Sequence, residues 1–153
     1  MQQDLVEVKV RGVMPTSNGC AIFLGGDEKT FVIYVDPAIG NAIHMTINQV
    51  KKERPLTHDL IGLILTGLEA SVERVVVNDV DEGTFFARIF LKMDNELGTK
   101  MIELDARPSD CLAIASAQKV PVYVSNSLFG EVEDMSDYLD QINEVPGEES
   151  DDE

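Results

Sequence analysis

The chain contains no tryptophan, only two cysteines, and 12 Lys and Arg against 28 Asp and Glu among its 153 residues. Each shortage removes a class of function. Cys20 and Cys111 lie in apolar segments with no CxxC spacing and no histidine at metal-ligand distance, so both read as buried free thiols of a reducing compartment. A formal charge of −16 argues against a broad basic surface for nucleic acid; any phosphate contact has to be local. No apolar run approaches the roughly 20 residues that cross a bilayer. The opening MQQDLVEVKVRG lacks the apolar region of a signal peptide, and a cytoplasmic location without membrane contact is expected. Phosphate-binding glycine loops, HExxH and GxSxG are missing, and Cys20 has no nearby histidine to activate it.

What remains is a chain long enough to bury roughly 70% of its unfolded surface in one core, with 44% hydrophobic residues to fill it. Val6, Val8 and Val10 alternate with Glu7, Lys9 and Arg11 as in a half-buried strand, and CAIFL and TFVIYV around GGDEK read as a hairpin. Asp36 followed by Pro37 reads as a helix N-cap with proline in the first turn, opening a helix predicted to run through AIGNAIHMTINQVKKE until Pro55. A second helix starts near Thr57 and runs through DLIGLILTGLEA; being apolar on most sides, it is expected to be largely buried. Ser71 to Asp105 has the pattern of a three-stranded meander. In its middle strand Phe85, Ala87, Ile89, Leu91 and Met93 share one face. Phe86, Arg88, Phe90 and Lys92 share the other. Phe85, Phe86 and Phe90 are candidates for stacking bases, but without tryptophan or a wealth of adjoining Lys and Arg they read as core. Pro108 opens a third helix, VPVYVS is a short strand, and EDMSDYLDQI is a last amphipathic helix with Met135, Leu139 and Ile142 on its apolar side. Strands in batches with helices between them predict an α+β fold. A single domain over residues 1–145 is expected, with a mostly antiparallel mixed sheet and about four helices, followed by an acidic tail over 146–153 that is expected to be disordered.

Two segments concentrate polar residues against apolar flanks: ERPLTHD (53–59) and DARPSD (105–110). Each leads into a helix, where free backbone amides and the helix dipole favour an anion. Arg54 and Arg107 offer a bidentate grip on phosphate, with Thr57 and Ser109 beside them. Asp59, Asp105 and Asp110 are the ligand types of a hard divalent cation such as Mg2+ or Mn2+, and His58 is the residue type that moves a proton. Each has a plainer role. Asp59 and Asp110 in a first turn stabilise the dipole by roughly 0.3 to 1 kcal/mol without any function. Thr57 and Ser109 are good N-caps, Arg107 can simply pair with a neighbouring acid, and Lys51, Lys52 and Arg54 read as a solvated helix end.

The motifs VEVKVRGV, FVIYVDPAIGNAI, RPLTHDLI, VNDVDEGTFFARI and DARPSDCLAIA with PVYVS behind it resemble the bifunctional nuclease family over residues 5 to about 143. The resemblance implies an α+β fold, usually a homodimer, and hydrolysis of phosphodiester bonds in RNA and DNA. The shared polar residues are Arg54, Pro55, Thr57, His58 and Asp59, then Asp105, Arg107, Pro108, Ser109 and Asp110. On this reading His58, Asp59, Arg107 and Asp110 are the catalytic candidates. Arg54, Arg107, Thr57 and Ser109 hold phosphate, and Asp59, Asp105 and Asp110 would hold a metal. The alternatives are a non-catalytic anion or metabolite module, a protein-interaction module of the same fold, and a purely structural network of Arg and Asp. The nuclease reading requires the two RP motifs to meet in space.

Overall fold

The computed structural model describes residues 4–142; the expected acidic tail lies outside them. The chain forms two three-stranded meanders, each leading through a proline into a helix. The first comprises β1 (Leu5–Thr16), β2 (Gly19–Gly25) and β3 (Thr30–Val35), followed by α1 (Pro37–Ile47). After α2 (Thr57–Gly67) comes the second, of β4 (Ala70–Asp81), β5 (Thr84–Asn95) and β6 (Gly98–Ala106), followed by α3 (Pro108–Gln118). The chain then adds β7 (Val122–Ser125), the short α4 (Asn126–Glu131) and a helix α5 over 136–142. The sheet order is β3-β2-β1-β7-β4-β5-β6, so β7 joins the two meanders. β4 and β7 run parallel and the other pairs antiparallel, which is the predicted α+β class.

Local chemistry explains these elements. At the β4–β5 turn Glu82 and Gly83 both take positive φ, 49° and 82°, the geometry a two-residue hairpin needs to match strand twist. The first hairpin, with Thr16 opposite Gly19, extends β1 well past the predicted alternation. A register shift between Val10 and Gly12 breaks the period there. Asp36 and Pro37 open α1 as expected, but the helix stops at Ile47, because Asn48 caps it and Gln49 turns left-handed at φ 55°. Residues 48–56 are therefore a connection, not the helix end predicted up to Pro55.

The helices α1, α2 and α3 pack on one face of the sheet. α3 is its centre: Cys111, Leu112, Ala113, Ile114 and Ala115 are all buried, and its alanines let α1 and α2 approach from either side. Each fully buried Leu or Ile contributes about 1.5–3 kcal/mol. Gly40 lets α1 lie against β2, since a Cβ there would overlap the Cys20 side chain. On the opposite face of the first meander, Leu139 of α5 covers Ala21 and Phe23.

Two expectations about burial are corrected. In α2 only His58 and Gly62 are buried, while Leu60, Leu63, Ile64 and Leu68 are about half exposed, because α2 touches the rest through one narrow edge against α3 and β4. Phe86 and Phe90 are not core. They share the helix-free face of the second meander, Phe86 is 41% exposed, and the Arg74 guanidinium lies 4.4 Å from the Phe90 ring. Phe85 faces inward, packed against the core.

Candidate active site

The two RP motifs end at the N-termini of α2 and α3, and the fold brings these helices together. Between α1, α2 and α3 lies a cavity of about 290 Å3 whose wall includes Thr57 and His58 from the first motif and Asp110 from the second. Its remaining lining is apolar, with Ile39, Ala42, Ile61 and Ile114 prominent.

The polar side chains around it are held in a definite pattern. Asp59 Oδ2 accepts hydrogen bonds from Lys52 Nζ at 2.7 Å and from the Leu56 amide at 2.9 Å. The second bond caps α2. Burial alone would raise the Asp59 carboxyl, but Lys52, the Leu56 amide and His58 outweigh it and hold the group below its ordinary value. His58 is buried, at 7% exposure, and its Nε2 has no hydrogen-bond partner among the described residues; Asp59 Oδ1 stands 3.6 Å away. Burial lowers the His58 pKa, Asp59 pulls it back up and Lys52 lowers it further, with a net downward shift. Near neutral pH the ring is uncharged.

On the other side of the N-terminus of α3, Arg107 is exposed and grips Asp110 through both ends of its fork, Nε to Oδ2 at 2.9 Å and Nη2 to Oδ1 at 3.2 Å. The Asp110 contact and the negative charge of Asp36 raise its pKa. Arg107 and Ser109 line an open groove of about 570 Å3 together with Tyr34, Asp36 and Thr84. Thr57 and Ser109 are not N-caps. Leu56 and Arg107 hold those positions, so neither hydroxyl is engaged with the helix end. Arg54 is exposed and makes no ion pair among the described residues, but it does not line the cavity.

The family model for the bifunctional nuclease domain matches residues 22–136, more than half of the chain. The chain belongs to the bifunctional nuclease domain family. Uncharacterized proteins from two strains of Mycobacterium tuberculosis are each 34% identical to it over 104 residues, covering 68% of this chain and 59% of theirs. The chain thus spans about three fifths of the length of these curated relatives. Within this bifunctional nuclease domain both RP motifs lie inside the matched stretch, and so does every residue that lines the cavity.

The expected metal trio is a different matter. Asp59 faces Lys52, Asp110 faces Arg107, and Asp105 lies 3.7 Å from Arg88, across a strand on the helix-free face of the sheet. Strand alternation explains it: Ala106 packs on the core, so Asp105 turns away from it. The three carboxylates do not converge, and among the described residues no group of three or more His, Cys, Asp or Glu is placed to hold a metal. The residues do not fit a single metal centre.

Sequence reasoning missed three contributors. Lys52 is the partner of Asp59 across the α1–α2 connection, where no helical period could reveal it. Asp36 lies in the groove beside Arg107. The apolar walls of the cavity come from three helices and carry no motif of their own. Cys20 and Cys111 are buried free thiols as read from the sequence; burial, and then the charges of Asp110 and Asp105, push the Cys111 thiol up to about 12. Among the described residues no helix is long and apolar enough to cross a membrane.

Proposed function

We propose that this bifunctional nuclease domain hydrolyses phosphodiester bonds of RNA and DNA where α2 and α3 begin. The observation that carries the reading is the cavity to which the first RP motif contributes His58 and the second Asp110. Arg107, exposed and aligned by Asp110, binds the phosphate with the free amides of the first turn of α3. Ser109 adds a hydroxyl, and Arg54 steers the polyanion from outside. His58, neutral at Nε2, takes the proton from the attacking water as the new P–O bond forms. The ester P–O bond breaks, and the departing oxygen takes a proton from solvent. Because water is the nucleophile, no 2′-hydroxyl is needed and both RNA and DNA qualify. Asp59 is a positioning residue, since its best-placed oxygen is committed to Lys52 and the Leu56 amide.

We also assign the exposed apolar face of α2 to homodimer contact. Leu60, Leu63, Ile64 and Leu68 recur at helical spacing there without an intervening charge on that stripe. Two copies of an acidic chain can meet on an uncharged face without like-charge repulsion.

Cleavage of labelled single-stranded RNA and DNA in low salt tests the activity, in parallel with Mg2+, with Mn2+ and with EDTA. Wild type is expected to cut both. His58→Ala, Arg107→Ala and Asp110→Ala proteins of unchanged melting temperature are expected to lose at least about tenfold of that rate. Variants that cut as fast as wild type would remove the site from this place.

A further inference from the structure

The position of His58 restricts how a substrate reaches it. At 7% exposure its ring is closed to bulk solvent, yet Nε2 has no hydrogen-bond partner among the described residues, which leaves a buried polar atom unsatisfied. The space this ring borders is the cavity between the three helices. A phosphate lying on the exposed Arg107 therefore meets His58 only if part of the substrate enters that cavity.

The cavity defines the part. Its volume of about 290 Å3 is at the lower edge of the roughly 300–1,000 Å3 of small-molecule sites, which suits a one- or two-ring group. Its walls carry no Lys or Arg, so a phosphate is not its occupant, and Asp110 at the polar end disfavours any other anion. Arg107 and Lys52 lie outside its lining, Arg107 paired with Asp110 of the wall and Lys52 with Asp59, the chain neighbour of His58. A neutral flat ring inside, joined to a phosphate outside, meets these conditions.

We propose that this cavity is a nucleobase subsite: one unpaired base of the strand inserts between Ile39, Ile61 and Ile114, and its sugar-phosphate oxygens come to lie by His58. Apolar side chains on both faces of a ring accept any of the bases, so the subsite selects for an unpaired nucleotide and not for a sequence. The proposal deepens the nuclease reading and rests on it for the nature of the ligand. It explains why the site needs no broad basic surface, since the inserted base supplies binding that phosphate contacts do not.

The test is binding, which needs no turnover. The chain has two histidines, and the exposed His44 on α1 serves as an internal control for the ring resonances of His58 in a nuclear magnetic resonance titration. Adenosine 5′-monophosphate is expected to shift the His58 ring signals and leave those of His44 in place, and ribose 5-phosphate at the same concentration to shift neither. Ala38, exposed at the cavity rim, provides a variant outside the core. Ala38→Leu is expected to weaken the nucleotide at least tenfold with the melting temperature of wild type. Equal shifts by ribose 5-phosphate, or undiminished binding by Ala38→Leu, would overturn the subsite. So would the absence of any His58 shift at millimolar nucleotide. Nucleotide binding by a protein that cuts nothing would retain the subsite and remove the nuclease, so the two failures are told apart.

Discussion

Replacing Asp59 separates a positioning carboxylate from a reacting one. In Asp59→Ala, α2 loses the acceptor of the Leu56 amide, and Lys52 loses its partner at 2.7 Å. Loss of a helix cap costs about 0.5–2 kcal/mol. A largely exposed ion pair adds about 0.2–1 kcal/mol, and this one is about one-fifth exposed on each side, which places it toward the upper end. Together about 1–2.5 kcal/mol of stability is at stake, or roughly 2–10 °C in melting temperature for a chain of this size. The pH dependence identifies the cause. The folded Asp59 carboxyl titrates below its ordinary value, so its contribution is fully present above the unfolded value of about 3.9 and is lost as pH falls through the folded one. Melts of wild type and Asp59→Ala should therefore differ at neutral pH and converge in acid. Cleavage by the variant, measured well below its melting temperature, should fall by less than about tenfold. A variant that melts like wild type but has lost its activity would rule out a positioning role and put Asp59 among the reacting groups.

Other outcomes follow from the same geometry. The acid limb of cleavage should have its midpoint below the ordinary imidazole value of about 6.5, because burial holds the His58 pKa down; a midpoint above 6.5 would contradict the buried neutral ring. The same shift makes the fold less stable in mild acid, since below about 6.5 the unfolded chain takes up a proton that the folded ring refuses, and melts between pH 7 and 5 would reveal it. Ellman's reagent should find almost no thiol in the folded protein and two after denaturation, given the complete burial of Cys111 and the near-complete burial of Cys20. Leu63→Asp lies on the exposed side of α2, so it should change monomer stability by no more than about 0.5 kcal/mol while abolishing self-association in sedimentation. Unchanged association would move the dimer contact elsewhere.

Much of this architecture was legible because local signals and tertiary packing agree. Glu82 and Gly83 dictate a tight hairpin, Pro37 and Pro108 start their helices, and the inward Ala87, Ile89 and Leu91 mark one face of β5 unambiguously. Agreement failed where composition was asked to report on neighbours. α2 reads as buried because it is apolar, yet Leu60, Leu63, Ile64 and Leu68 face solvent in the single chain. Phe86 and Phe90 read as core because no tryptophan or wealth of basic residues marks a base-stacking surface, although strand alternation alone puts them opposite Phe85's neighbours Ala87 and Ile89. In the fold, the counterpart of Arg107–Pro108 is Asp36–Pro37, since each pair closes a three-stranded meander. At the site, residue types named the chemistry but not the partners. Asp105, Asp59 and Asp110 look equivalent in sequence, and only register and helix packing send them to Arg88, Lys52 and Arg107.

The proposed hydrolysis requires the two RP motifs to act as one site, and a double-mutant cycle on strand cleavage with His58→Ala and Arg107→Ala measures that coupling. Each single change is expected to cost about 10- to 1,000-fold, and the double variant to be little worse than the more damaging single one, because groups acting on one phosphate are not additive. Losses that simply multiply, or a single variant with full activity, would contradict it.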